Sequence, residues 1–285
     1  MFGKKKYSEI NKILNDRFNQ KGILIAQHRG AYGGNIVQNT LLAYKTSFLL
    51  GADMFEMDIT KSTDSKLYCF HDGTEYLNLG YNKNLLTLSS KTIDNLVLDN
   101  SIGTTSGYHV QELDEVLEYF KNGELYNIDR SWNYINDVFK ALKKHPHSIY
   151  QAILKGPVKK ELLDKYENEE IKFMFMPIVR NVADIEMALS YNNINIVGFE
   201  CIFDTENHPF FNDEFIKKIH DNGYFIWVNA LTLSNLDKHI MCAGYDDNVS
   251  IEKGYEYGWK VLINKGYDII QTDWPDLLGR HINKK

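Results

Sequence analysis

Eight short runs rich in β-forming residues recur along this chain of 285 residues, and helical patterns separate most of them. The runs lie at residues 23–29, 54–60, 126–131, 149–155, 172–180, 196–201, 224–231 and 268–273. The helical patterns lie at residues 7–20, 39–50, 135–144, 159–169, 183–191 and 214–222. Strands that alternate with helices in a chain near the usual ~250 residues predict an α/β fold, a single TIM-type (β/α)8 barrel.

One segment breaks the alternation. Residues 73–110 are rich in glycine, asparagine, serine and threonine. We interpret them as a small insertion after the second strand, introduced by an extra short strand at residues 67–70. The segment is too short and too polar for an independent domain, so residues 1–285 are predicted to form one domain with an N-terminal helix. A doubly wound open sheet is the alternative architecture, but no Gly-x-Gly-x-x-Gly sequence follows a strand.

The charge balance and the apolar pattern exclude several classes of partner. The formal net charge is −6, and no basic stripe suited to nucleic acid is present. No stretch of about 18 apolar residues predicts insertion into a membrane. Three widely separated cysteines do not suggest a disulfide framework, and residues 1–10 lack the apolar core of a signal peptide. For a complete chain these features predict a cytoplasmic location; removal of a signal peptide would leave the same sequence.

Polar residues cluster where the predicted strands end. In a barrel of this kind the carboxyl ends of the strands carry the chemistry, because the loops after the strands meet there. The polar residues at or near these ends are His28, Arg29, Glu56, Asp58, His71, Asp129, Lys155, Glu200 and Asp273.

Two of these residues share one face of a strand. Glu56 and Asp58 are two positions apart, so their side chains point in the same direction. Two like charges between hydrophobic neighbours are costly to bury, and a divalent cation with oxygen ligands offsets that cost. Carboxylates without a cysteine or His-x-His partner favour Mg²⁺, Ca²⁺ or Mn²⁺ over zinc. The alternative is that the carboxylates form structural salt bridges with Arg29 or Lys155.

His28 and His71 are candidates for acid–base catalysis. Transfer of a phosphoryl group needs one side chain to accept a proton from the nucleophile and another to protonate the leaving alkoxide. Histidine titrates in the range that suits both tasks. The alternative is that each histidine is a hydrogen-bonded structural residue at the end of its strand.

Several motifs in this order resemble the glycerophosphodiester phosphodiesterases. The matching segments are His28-Arg29-Gly30, Gln38-Asn39-Thr40, Glu56-Met57-Asp58, Thr63-Asp64 leading to His71-Asp72, His109 to Leu117, Trp227-Val228-Asn229 and Gln271 to Pro275. The resemblance implies a barrel enzyme that hydrolyses small glycerophosphodiesters with the help of a divalent cation. It further implies that Glu56, Asp58 and Asp129 bind the ion, that His28 and His71 are the acid and base, and that Arg29 binds the phosphate.

Two departures from the family pattern concern charge. The family glutamate before Asn-Thr is Gln38 here, and the family lysine two residues after the strand-three carboxylate is Ser131. Lys155 ends the adjacent strand, and parallel neighbours lie about 4.8 Å apart, so its ammonium is predicted to replace the missing lysine. Gly156 and Pro157 are expected to turn the chain there and to place Lys155 at the mouth of the barrel.

Other functions remain open at this point. The nearest alternative is a phosphodiester-cleaving barrel enzyme similar to phosphatidylinositol-specific phospholipase C or sphingomyelinase D, and a further one is a non-catalytic binding barrel. Tyr32, Trp132, Tyr134 and Trp274 follow strands at the active-site end, where they either stack on the substrate or pack the loops. The preferred ion, the alcohol on the substrate and the oligomeric state are left open.

Overall fold

The computed structural model describes residues 1–233 and 239–282. Within these residues the chain forms twelve strands, β1 (Leu24–Gln27), β2 (Met54–Lys61), β3 (Leu67–Cys69), β4 (Val97–Asp99), β5 (Thr105–His109), β6 (Gln111–Glu112), β7 (Leu125–Asp129), β8 (Ala152–Pro157), β9 (Met174–Val179), β10 (Gly198–Cys201), β11 (Phe225–Asn229) and β12 (Ile269–Thr272).

The same residues form twelve α-helices, α1 (Lys12–Lys21), α2 (Leu41–Leu49), α3 (Glu75–Leu79), α4 (Ser90–Ile93), α5 (Leu113–Tyr119), α6 (Ile135–Lys144), α7 (Lys160–Asn168), α8 (Val182–Leu189), α9 (Asp213–Asp221), α10 (Asp247–Glu252), α11 (Trp259–Lys265) and α12 (Pro275–Ile282). None of the helices in the described residues combines the length and the hydropathy that a bilayer span requires.

Eight of the strands close into a parallel barrel. Their order is β1-β12-β11-β10-β9-β8-β7-β2, and β1 also pairs with β2, which closes the ring. The predicted (β/α)8 barrel is therefore confirmed. All eight predicted strands are present, with shifts at their ends. The largest shift is in β8, which was predicted from residue 149 and begins at Ala152, because Pro146–Tyr150 forms a 3-10 helix.

The helices cover the barrel with their apolar faces. Helix α6 has the predicted bounds, and it buries Ile135, Val138, Phe139 and Leu142 at helical spacing. These side chains belong to a large apolar cluster between the strands and the helices. A second apolar cluster fills the inside of the barrel. Alternate residues of each strand contribute to the two clusters, as the two-residue period of a strand requires.

The amino end of the barrel is closed by the N-terminal segment. The predicted helix over residues 7–20 begins later, at Lys12, and extends to Lys21. Its Leu14 belongs to the interior cluster, and Phe18 packs edge-on against Phe225, with 5.1 Å between the ring centroids. Phe2 stacks on the same ring at 4.2 Å. The carboxyl end of the barrel is thus the end left open for a site.

An appendage extends from the barrel after β2. Strand β2 pairs antiparallel with β3, β3 pairs antiparallel with β6, and β4 and β5 form a separate two-stranded sheet. The predicted insertion at residues 73–110 contains α3, α4 and this small sheet. A third apolar cluster supports the appendage, and it consists of Val37, Tyr68, Phe70, Leu85, Leu88, Ile93, Leu98 and Val110.

Candidate active site

A cavity of about 240 Å³ opens at the carboxyl ends of the barrel strands. Alternation along the strands directs every second side chain into the barrel, and near this end those side chains are mostly polar. Six of the seven predicted site residues line the cavity, namely His28, Arg29, Glu56, Asp58, His71 and Asp129. The structure therefore brings these six together, as the sequence predicted. Lys155 is not among the lining residues.

Three carboxylates meet at the bottom of the cavity. Glu56 and Asp58 lie on β2, and Asp129 on β7 is the register partner of Asp58. One carboxylate oxygen from each residue lies within 4.8 Å of the other two. Glu56 and Asp58 are almost completely buried, at 1% and 3% exposure. This convergence of oxygen atoms matches the ligand set of a hard divalent cation.

The charges of this cluster are poorly offset by the protein. Burial, together with the charges of Asp58 and Asp129, raises the pKa of Glu56 well above its ordinary value. Burial also raises the pKa of Asp129 to about 6; Lys155 opposes this rise, while Glu200 and Asp58 add to it. A bound cation would oppose both shifts, because it stabilises the charged carboxylates. The residues present are therefore suited to hold a divalent ion.

Asp58 has the most partners in the cluster. Arg29 Nε lies 3.2 Å from Asp58 Oδ2, and Arg130 Nε lies 3.5 Å from Asp58 Oδ1. Asn39 Nδ2 donates to Asp58 Oδ2 at 3.0 Å, and the backbone N–H of Asp58 donates to Asn39 Oδ1 at 3.1 Å. Glu56 Oε2 accepts a hydrogen bond from the backbone N–H of Arg29 at 2.8 Å. The alternative of a salt bridge thus applies to Asp58 with Arg29, but not to Glu56.

The backbone is held in uncommon conformations at the residues that contact Asp58. Arg29, Asn39 and Arg130 have φ angles of 54°, 57° and 53°, in the left-handed region that non-glycine residues rarely adopt. Gly30 follows with φ 73°, and a Cβ there would lie 2.8 Å from the carbonyl carbon of Ala43. Only glycine allows the chain to approach α2 this closely. The turn after β1 is therefore fixed by packing, and it directs Arg29 to the carboxylates.

His28 is oriented by a carboxylate from the neighbouring strand. Its Nδ1 lies 3.0 Å from Asp273 Oδ1, and Asp273 directly follows β12. The backbone N–H of Asp273 donates to the buried Asp247 Oδ2 at 2.8 Å, and the hydroxyl of Thr272 donates to Asp247 Oδ1 at 2.7 Å. An imidazole whose Nδ1 faces a carboxylate keeps its Nε2 available for a substrate.

His71 enters the cavity from the appendage, two residues after β3. Burial lowers its pKa to about 4; the charge of Asp58 opposes this shift, and the charges of Arg29 and Arg130 add to it. Its Nδ1 is buried without a hydrogen-bond partner among the described residues. Burial thus favours the neutral form of the ring, which has an unprotonated nitrogen.

Lys155 lies beneath the cavity rather than at its mouth. It is fully buried in β8, which continues through Gly156 to Pro157, so the prediction that the chain turns at Gly156 is wrong. Lys155 Nζ lies 3.0 Å from Glu200 Oε2 and 3.6 Å from the centroid of the Trp227 ring. The ammonium therefore pairs with Glu200, which itself lines the cavity. Its predicted role in turnover stays a prediction.

The two departures from the family pattern have visible consequences. Gln38 Oε1 accepts a hydrogen bond from Arg29 Nη1 at 3.3 Å, so the amide keeps a contact with the arginine but supplies no charge. Ser131 is completely buried, and its hydroxyl donates to the carbonyl oxygen of Ile128 at 3.5 Å. The cation next to the carboxylates on this side is Arg130 instead.

Several cavity residues had been given no role from the sequence. Arg130, Arg180, Glu200 and Asn229 all line the cavity. Each lies at or directly after the carboxyl end of a barrel strand, and that position was the available signal. Asn39 lies outside the strands, and only its family motif could have indicated it.

The four aromatic residues predicted either to stack on the substrate or to pack the loops differ in their surroundings. Trp132 lines the cavity and Tyr134 packs against the core cluster. Tyr32 and Trp274 are 46% and 48% exposed. Burial raises the pKa of Tyr32; the charge of Asp273 adds to this rise and the charge of Arg29 opposes it. Tyr32 therefore lies near these two residues of the site.

Solved structures of glycerophosphodiester phosphodiesterases share this fold. The enzyme from Parabacteroides distasonis superposes with a TM-score of 0.69 and 18% identity, over 91% of this chain and 86% of that chain. The phosphodiesterase from Oleispira antarctica, in complex with the product sn-glycerol-3-phosphate, has a TM-score of 0.67 and 15% identity, over 94% of this chain and 99% of that chain. The enzyme from Agrobacterium tumefaciens has a TM-score of 0.62 and 20% identity, over 90% of this chain and 99% of that chain. The predicted resemblance is thus confirmed at the level of the fold.

Comparison by sequence reaches only part of the chain. Residues 175–282 match a family described as a domain of unknown function, DUF4996. None of the curated proteins matches the chain. The family match covers the second half of the barrel, whereas all six cavity-lining residues predicted from the sequence precede it.

Proposed function

We propose that this protein is a metal-dependent glycerophosphodiester phosphodiesterase, which hydrolyses its substrates to glycerol phosphate and an alcohol. The observation that carries the proposal is the convergence of Glu56, Asp58 and Asp129 in one cavity with His28 and His71. The fold shared with enzymes of this activity supports it, including one solved with sn-glycerol-3-phosphate. A non-catalytic barrel would have no need to keep three carboxylates and two histidines around one cavity.

Glu56, Asp58 and Asp129 would hold the divalent ion, which when bound polarises the phosphoryl oxygens and offsets their developing charge. We expect Mg²⁺ or Ca²⁺, with Mn²⁺ as a substitute, because all three ligands are carboxylates. Arg29 would bind a phosphate oxygen. Its backbone N–H fixes Glu56 while its guanidinium extends to Asp58 and Gln38, so one residue links the carboxylates to the phosphate position.

The two histidines divide the proton transfers. One accepts the proton of the attacking hydroxyl, and the other returns a proton to the leaving alkoxide. The carboxylate of Asp273 holds the His28 ring through its Nδ1, which leaves Nε2 to face the substrate. His71 reaches the cavity from the appendage, whereas His28 follows β1. Two proton-transfer groups from separate elements would serve the attacking and the leaving oxygen of a displacement at phosphorus.

The decisive experiment is hydrolysis of a panel of glycerophosphodiesters after chelation, with Mg²⁺, Ca²⁺ or Mn²⁺ then added back. We expect no turnover in chelator and recovery with at least one ion. His28→Asn and His71→Asn should each lower kcat by about 10²–10⁴-fold. The matched control is His145→Asn at the end of α6, outside the cavity. Full activity in excess chelator, or near-normal kcat in either histidine variant, would contradict the proposal.

The same assay separates the nearest alternative. A phospholipase of the barrel type that makes cyclic phosphates would accumulate a cyclic product, which phosphorus NMR resolves from glycerol phosphate. The panel therefore includes a lysophospholipid in micelles beside the water-soluble diesters. Cleavage of the micellar lipid alone would replace the proposed substrate class.

A further inference from the structure

The cavity has two chemically different walls. The wall formed by β2 and β7 carries the three carboxylates, and the guanidinium groups of Arg29 and Arg130 there are both directed at Asp58. The opposite wall is built from β9, β10, β11 and the loops that follow them. It is mostly apolar, with Ile178, Ile202, Leu231, Leu233 and Met241.

One cation stands on the apolar wall. Arg180 directly follows β9, two positions after Ile178, so both side chains point to the cavity. Its backbone is fixed, because its N–H donates to Asp184 Oδ2 at 2.8 Å and its carbonyl oxygen accepts from His208 Nε2 at 3.0 Å. Its side chain is exposed, and it forms neither an ion pair nor a hydrogen bond with any residue in the parts of the chain that the structure describes.

The position of Arg180 separates it from the scissile phosphate. Strand β9 is two strands away from β7, which places the strand ends about 10 Å apart at the usual spacing. A phosphate bound at Glu56, Asp58 and Asp129 would already be near Arg29 and Arg130. The apolar side chains that share this wall with Arg180 suit the carbon skeleton of an organic arm of the substrate. Arg180 stands where the far end of that arm would lie.

A guanidinium that has no carboxylate partner among the described residues, and that lies beside an apolar surface, is a recognition element for an anion. Its planar donors match the two oxygens of a carboxylate or phosphate group. The net charge of −6 gives no general attraction for such a substrate, so the recognition has to be local. We propose that Arg180 is a specificity-determining residue, which selects diesters whose alcohol arm bears a second anionic group. This inference rests on the proposed phosphodiesterase function.

The test compares three diesters that differ at one position of the alcohol. Glycerophosphoglycerol is neutral there, glycerophosphoglycerate carries a carboxylate, and glycerophosphoglycerol phosphate carries a phosphate. The measured quantity is the ratio of kcat/KM for each anionic diester to that for the neutral one. Wild-type protein should favour at least one anionic diester, and Arg180→Gln should lower that ratio about tenfold, as loss of one charge-assisted hydrogen-bonded pair predicts. Arg180→Lys should keep part of the preference, because lysine keeps the positive charge but lacks the planar pair of N–H donors.

The control is Arg280→Gln, the same chemical change at an arginine on α12 that pairs with Asp276. Its ratio should equal that of the wild type. An unchanged ratio in Arg180→Gln, or equal losses on all three diesters, would overturn the inference and assign the residue to folding or to the scissile phosphate. Absence of wild-type turnover on every diester would instead refute the proposed function. In that case binding still tests the Arg180 preference. Calorimetry would give the dissociation constants of the three compounds for His28→Asn with Arg180 and for His28→Asn with Arg180→Gln.

Discussion

Replacement of Glu56 by glutamine should stabilise the metal-free protein while it abolishes activity. Glu56 is 1% exposed, and its carboxylate lies within 4.8 Å of those of Asp58 and Asp129. At an effective dielectric constant of about 20, two unit charges at that separation repel by about 3.5 kcal/mol. Arg29 and Arg130 offset part of this repulsion, since both face the cluster. We therefore expect Glu56→Gln to raise the free energy of unfolding by about 2 kcal/mol at pH 7.5 in chelator.

The sign follows from linkage. The pKa of Glu56 is raised in the folded protein, so the folded state binds a proton that the unfolded state has released. Stability of the wild type therefore falls as pH rises above the ordinary glutamate pKa of about 4.3. Glutamine cannot ionise, and it can keep the hydrogen bond from the backbone N–H of Arg29. The difference between variant and wild type should grow from pH 4.5 to pH 7.5.

Thermal unfolding with and without ion measures the effect. In chelator the melting temperature of Glu56→Gln should exceed that of the wild type by about 5 °C. A divalent ion at 100 times its Kd should stabilise the wild type by about 2.7 kcal/mol, and the variant should lose most of this gain. Glu170→Gln, at an exposed position before β9, is the matched control. A variant that melts at or below the wild type in chelator, or gains equally from the ion, would show that the carboxylates do not form one site.

Three further changes have defined outcomes. Lys155→Met should lower the free energy of unfolding, measured in urea, by about 3–5 kcal/mol, because it leaves Glu200 buried without its cationic partner. Adding Glu200→Gln to the same chain should restore most of this loss. A Lys155→Met protein as stable as the wild type would refute the pairing. Asp268 lies 2.9 Å from His220 Nε2, and this hydrogen bond raises the pKa of His220. The stability that the pair contributes is therefore fully present below about pH 6.5 and is lost as the pH rises through the raised pKa. His220 is partly exposed, so the change between pH 6 and pH 8 should be about 1 kcal/mol or less, and His220→Gln should flatten the profile; an equally steep profile in the variant would contradict this. Trp274→Ala should alter relative kcat/KM among alcohol groups with little loss of stability, since Trp274 is half exposed, whereas equal losses on every diester would indicate packing.

The barrel was predictable because its signals are local. Each run of β-forming residues and each apolar helical face is readable within about ten residues, and α6 at residues 135–144 was predicted at both ends. The error at the start of β8 arose because neighbouring residues favour different secondary structures. Ile149 and Tyr150 have the composition of a strand, yet Pro146 starts a 3-10 helix that includes them. The extra strand predicted at residues 67–70 is present as β3, but α3 and α4 were not predicted, because helices of four or five residues carry no periodic pattern.

The site was predictable where one strand or one strand end supplies the residues. Glu56 and Asp58 follow from the two-residue period, and His28 and Asp129 from their places at strand ends. The contact of Asp273 with His28 joins residues 245 positions apart, and it depends on the closure of the barrel. The depth of Lys155 could not be read either, because Gly156 and Pro157 commonly end strands and here continue one.

The place of His71 on the appendage has a consequence for how this protein would fail under stress. Strand β3 contributes to the large cluster of the barrel, whereas the rest of the appendage rests on a smaller cluster of only eight buried side chains. Small cooperative units open at lower free energy than the molecule as a whole. Opening of the appendage would withdraw His71 and leave the carboxylates of β2 and β7 in place. Amide hydrogens of β4 and β5 should then exchange faster than those of β7 and β8, and heating should abolish turnover several degrees below the temperature at which the barrel unfolds.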